Sequence, residues 1–170
     1  GERQDGLIPE VQNELWSPIL ETLGVNEVLA GWKRDEALLK LFHEPMLSVM
    51  PKGSIYLGGT DPGRFVITAV NAVKTENKVF CITQNALADN TYMAHLRAVY
   101  GQDLWIPQPA DCNAAFQQFV ADVQAGRHSG LAEVKIADGR VHVSGVGGVM
   151  VINGLLCKML FEHNKDARAF

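Results

Sequence analysis

The rhythm of apolar positions changes along the chain. Over residues 1–50 it is helical: Val11 and Leu15 share a face, Ser17 and Pro18 stand as N-cap and first residue of a second short turn, and Gly24 closes it. Asn26 caps the next stretch, where Val28, Leu29, Trp32, Leu38, Leu39 and Phe42 form a stripe that Pro45 is expected to end. A helical lead-in is expected there. After Pro51 and Gly53 the pattern switches to a short apolar run at 54–57, a glycine-rich turn at 58–63 and a helical segment at 64–73. Residues 78–83 repeat the theme, with Val79, Phe80, Cys81 and Ile82 leading through a polar loop into a helix that carries Met93, Leu96 and Tyr100. Continuous apolar runs alternating with helices predict parallel strands covered on both faces.

Residues 104–106 read as a third short strand, after which Pro109 and Asp111 start a helix with Phe116, Phe119, Val120 and Val123 at helical spacing and Gly126 as its stop. Residues 131–136 and 140–143 flank Asp138-Gly139, a dipeptide suited to the positive φ angles of a tight hairpin. The last helix covers 146–161. Apolar residues lie all round it over 149–161, so it is expected to be buried on most of its circumference, with Gly154 in close contact with the sheet or another helix. No repeat, low-complexity tract or linker divides the chain. The expected fold is a single α/β domain over 1–170: a three-layer sandwich with a mainly parallel sheet, an antiparallel edge hairpin and a helical lead-in (1–50) before the βα core (51–170). The strands at 54–57 and 78–83 are expected to be parallel neighbours joined by a right-handed crossover through the 64–73 helix.

Composition narrows the partners. The chain is 47% apolar and 20% charged, the balance of an ordinary globular protein, and its 170 residues suffice for one core. Nineteen acidic against 15 basic side chains give a net charge of −4 with no Lys/Arg stripe, which disfavours a nucleic-acid partner. Cys81, Cys112 and Cys157 have no CxxC spacing and read as core or near-surface residues; one disulfide plus one free thiol stays open, and with it the redox compartment. The apolar run 149–161 is interrupted by Asn153 and Lys158 and falls short of the roughly 20 residues that span a bilayer, so no membrane-spanning segment is expected. Gly1 in place of an initiator methionine points to a processed or excised chain.

In open α/β sheets ligands bind beyond the carboxyl ends of the parallel strands. The first loop there contains Gly58, Gly59, Asp61, Pro62 and Arg64: the glycines permit close backbone approach, Asp61 offers a carboxylate and Arg64 a planar bidentate donor for phosphate or carboxylate. Asp61 before Pro62 is equally a good helix N-cap. Arg64 is expected to point into a crevice shared with the second loop. That loop concentrates Asn85, Asp89, Asn90 and Tyr92, groups able to read sugar hydroxyls or the polar edge of a nucleotide, although Asp89 or Asn90 is also needed to cap the following helix. The glycines of Ser144-Gly145-Val146-Gly147-Gly148 follow a hairpin rather than the first strand of a βαβ unit, and read as close helix packing instead of a dinucleotide fingerprint.

The histidines at 43, 95, 128, 142 and 163 show no metal-ligand spacing, and no metal is expected. Neither a G-x-S-x-G elbow nor a G-x-x-x-x-G-K-[ST] loop occurs. His95, near the polar loop, reads as a helix-face residue before it reads as a general base. Catalytic residues and cofactor are therefore left unassigned.

At the two polar loops, Gly53-Ser54-Ile55-Tyr56-Leu57-Gly58-Gly59-Thr60-Asp61-Pro62-Gly63-Arg64 and Thr83-Gln84-Asn85-Ala86-Leu87-Ala88-Asp89-Asn90-Thr91-Tyr92, and at Ile152-Asn153-Gly154-Leu155, the chain resembles an uncharacterised bacterial α/β domain. That domain is similar to the soluble portion of multi-pass membrane proteins resembling protein glycosyltransferases. The likeness covers about Met50 to Phe170 and leaves out the lead-in. Its first loop departs from the Gly-Asp-Asn-Asp pattern of the membrane relatives. The resemblance implies an extracytoplasmic or periplasmic location, a carbohydrate or lipid-phosphate connection and attachment to a membrane protein. It also implies that such chains continue past Arg168-Ala169-Phe170 into another strand, so that this one is expected to be truncated.

Three functions follow as expectations. The first is a binding or accessory domain that holds a small anionic or polyhydroxyl ligand between Gly58, Gly59, Asp61 and Arg64 on one side and Asn85, Asp89, Asn90 and Tyr92 on the other. The second is a nucleotide-cofactor transferase in which Asp61 or Asp89 accepts ribose hydroxyls. The third is a scaffold whose polar loops only cap helices.

Overall fold

The computed structural model describes residues 45, 48–58, 67–68, 71, 79–128, 134–137, 139–143 and 146–170. Among them the chain is mixed α/β. Strand β1 (Ile55–Gly58) pairs in parallel with β2 (Phe80–Thr83), Ile55 opposite Phe80 and Gly58 opposite Thr83, as the two apolar runs predict. A 3-10 turn (Gln84–Ala86) leads from β2 toward α1 (Asn90–Tyr100), and α2 (Pro109–Gln124) follows. Strands β3 (Val134–Ala137) and β4 (Arg140–Val143) form an antiparallel hairpin, and α3 (Val146–Asn164) is the last helix. Among the described residues the hairpin is a two-stranded sheet of its own.

Strand side chains alternate between faces, and β2 shows why its run is apolar throughout. Phe80 and Ile82 join Ile55 in a cluster with Met93 and Leu96 of α1, Ala115 of α2 and Leu156 and Leu160 of α3. Val79 and Cys81 face another cluster, built on Ile67 with Met50 and Tyr56 packed against it. Ile67, Thr68 and Asn71 are the described part of the expected 64–73 helix, and all three are helical. Asn71 reaches the start of β2, donating to the Val79 carbonyl (2.7 Å) and accepting from its N–H (2.8 Å).

Local signals hold at several boundaries. Pro109 occupies the first turn of α2, where its missing N–H is harmless, and Asp111 reaches back to accept from the Gln108 N–H at 2.8 Å. Gly126 follows α2 at φ +79°, and Gly139 turns the hairpin at φ +71°. Most of the lead-in lies outside the described residues. Pro45, expected to end its pattern, is itself helical, as are Ser48 and Val49; proline is compatible with a helix's first turn.

Two expectations are corrected. Residues 104–106 are not a strand: the Trp105 N–H donates to Asn164 Oδ1 (3.1 Å) and the Trp105 carbonyl accepts from Asn164 Nδ2 (2.9 Å), so a side chain occupies the groups a neighbouring strand would use. Nor is α3 buried on most of its circumference. Its buried residues are Gly148, Asn153, Leu156, Leu160 and Asn164, a one-sided stripe, whereas Val146, Val149, Met150 and Phe161 are exposed. Gly154 has nothing within 4 Å of where a Cβ would lie. Two residues before Leu156, it is rotated about 200° from it on a helix of 3.6 residues per turn, which turns it away from the core. With 19 residues and a mean hydropathy of 1.2, α3 is long and apolar enough to cross a membrane by length and composition. Its buried stripe nevertheless carries two asparagines bonded to distant backbone, a feature of protein packing.

Candidate functional site

The site begins where β2 ends. The Thr83 N–H donates to the Tyr92 hydroxyl at 2.7 Å, so a tyrosine in the first turn of α1 closes the strand's carboxyl end. Leu87, fully buried in the core, pins the middle of the intervening loop. Asp89 then caps α1: its Oδ1 accepts from the N–H groups of Thr91 (2.8 Å) and Tyr92 (3.0 Å) and from the Thr91 hydroxyl. These are the orphan donors that every helix start exposes.

The other side of the loop is held by Asn153, which is only 2% exposed. Its Oδ1 accepts from the Ala88 N–H at 2.6 Å and its Nδ2 donates to the Asn85 carbonyl at 2.9 Å. One amide on α3 thus fixes two points of the loop, three residues apart.

Between this loop, the first two turns of α2 and the start of α3 lies an open cleft of about 510 Å³. Asn85, Asp89 and Asn90 line one side, Cys112, Asn113 and Phe116 come from α2, and Val149 and Ile152 from α3, with Leu156 beneath. The cleft therefore sets side-chain amides against an apolar wall. Among the described lining residues Asp89 is the one charged group. Asn85 contributes more than its position: its Oδ1 is buried without a hydrogen-bond partner. A buried acceptor without a donor costs about 1–3 kcal/mol, an expense a binding partner can relieve.

The expected site residues are distributed unevenly. Asn85, Asp89 and Asn90 are brought together in the cleft. Tyr92 is 2% exposed and its hydroxyl is engaged with Thr83, so it shapes the loop from behind. Gly58 is buried at the end of β1, in register with Thr83. Gly59, Asp61 and Arg64 lie outside the described residues. His95 makes a tilted ring contact with Tyr92, centroids 6.3 Å apart, and does not line the cleft.

Sequence reasoning missed Asn113, Phe116 and Asn153. Phe116 and Phe119 both belong to the apolar residues at helical spacing in α2; Phe119 is fully buried, whereas Phe116 is 41% exposed at the cleft. A polar residue within the apolar run of α3 was the available signal for Asn153. Cys112 places a thiol on the wall, while Cys157 is half-buried, with burial pushing its thiol pKa up, and Cys81 is buried. Among the described residues none of the three is paired in a disulfide. Among the described residues no group of three or more His, Cys, Asp or Glu could hold a metal ion. Compared with models of known protein families, with curated proteins and with solved structures, the chain matches none.

Proposed function

We propose that the chain is a ligand-binding or accessory domain whose cleft holds a small polar molecule beyond the carboxyl ends of β1 and β2. The observation that carries this is Asn85: a side chain lining an open cleft with its carbonyl oxygen buried and unmet. The loop that presents it is fixed beforehand by Asp89, Tyr92 and Asn153, which lowers the ordering cost of binding. The crevice beyond parallel strand ends is also where α/β sheets commonly place ligands. In this proposal Asn85 and Asn90 contact the ligand and Asp89 and Tyr92 shape the loop.

The fold proposed with it is a three-layer sandwich, in which the hairpin extends the edge of a mainly parallel sheet. Support comes from the two clusters that alternate residues of β2 face. An extracytoplasmic setting, with attachment to a membrane protein of carbohydrate or lipid-phosphate metabolism, is proposed on the resemblance at the two loops. Amide-resolved NMR titration with a panel of small polar molecules tests the binding role. Shifts concentrated at the side-chain amides of Asn85, Asn90 and Asn113 are expected; a panel that moves none of them refutes it.

A further inference from the structure

We infer that the ligand of this cleft is an uncharged polyhydroxyl ring, a saccharide, and not a phosphate-bearing molecule. The inference rests on the binding role proposed above and adds the chemistry of what is bound. Phosphate sites need cations or free helix N-termini. Here none of the described lining residues is Lys, Arg or His. The N-terminus of α1 is not free either: Asp89 Oδ1 has taken the Thr91 and Tyr92 N–H groups, and its carboxylate sets a negative charge where a phosphate would have to sit.

The same walls suit a ring with one apolar face and a hydroxyl edge. Phe116, 41% exposed, and Val149, 40% exposed, present hydrocarbon surface on the α2 and α3 side. Asn85, Asn90 and Asn113 present amides, each able to donate and accept, which is what a hydroxyl requires of its partner. A hydroxyl also supplies the kind of donor that Asn85 Oδ1 lacks.

Cys112 lines the cleft and gives a direct readout. The wild-type chain is alkylated at each thiol and peptide-mapped, with Cys81 and Cys157 as internal controls. The probes are glucose, galactose, mannose and N-acetylglucosamine, with adenosine, AMP and inorganic phosphate beside them. At least one saccharide is expected to slow alkylation of Cys112 selectively, with AMP and phosphate without effect. Phe116→Ala and Asn113→Ala, both at exposed positions, are expected to weaken that protection by about tenfold each, with unchanged circular dichroism. Protection by phosphate, by AMP, or by adenosine with no saccharide active overturns the saccharide assignment while leaving a binding cleft. Saccharide protection that ignores both substitutions also overturns it. If no probe changes Cys112 labelling, the binding role falls together with the inference.

Discussion

Replacing Asn153 by leucine keeps a side chain of similar size and removes both hydrogen bonds that anchor the loop after β2. The Ala88 N–H and the Asn85 carbonyl are left against hydrocarbon. Each group costs about 1–3 kcal/mol if it stays buried and unmet. Ala88 and Asn85 are half-buried, so partial access to water puts each near the lower end, and leucine avoids the desolvation of an amide. A net loss of about 2 kcal/mol follows, equivalent to a fall in Tm of roughly 4–8 °C for a chain of this size. Urea unfolding followed by tryptophan fluorescence measures it as a lower midpoint with an unchanged slope. Hydrogen exchange adds a local readout, because the Ala88 amide must then exchange faster than those of β2. A midpoint equal to wild type, with the Ala88 amide still protected, would refute the reasoning.

Asn153→Asp tests the same contact through pH. The buried site disfavours the carboxylate and places one of its oxygens against the Asn85 carbonyl, so the folded pKa rises above the unfolded value of about 3.9. Stability of this variant is then full below the unfolded pKa, lost as pH rises through the folded one and flat above it; unfolding midpoints that rise with pH relative to wild type would contradict this. Gly154→Ala adds a methyl group facing open space within α3 and is expected to stabilise the chain by about 0.5–1 kcal/mol, measured by the same urea titration; destabilisation would show that something covers that face.

What the sequence made legible was local. Val79 to Ile82 read as a doubly covered strand because four consecutive apolar residues leave neither face polar, and two clusters share them. Asp89 could be read as a cap from its place before Thr91, and Gly126 and Gly139 from the positive φ their turns demand. The contacts that shape the site are long-range. Asn153 meets Asn85 and Ala88 across 68 and 65 positions, and nothing around any of the three announces the others. Asn164 erased an expected strand in the same way, by holding Trp105 from 59 positions away. The exposed side of α3 was illegible for another reason. A helix apolar all round has no periodicity to mark its inner face, so Gly154 could be assigned to either side.

The clamp on the loop also ties the chain's chemical lifetime to its folding. Asn153 is followed by Gly154, and an asparagine before glycine is the pair most open to cyclisation, in which the glycine nitrogen attacks the side-chain carbonyl carbon and ammonia departs. Within α3 that attack is blocked, because the amide is held by the loop and the backbone by the helix. Each transient opening of α3 lifts the block. Hydrolysis of the ring then leaves an aspartyl or isoaspartyl residue that can no longer hold both Ala88 and Asn85, and further openings become more frequent. Each molecule that ages in this way is left with a loosened loop, and whatever fastens the loop from the cleft side slows the reaction.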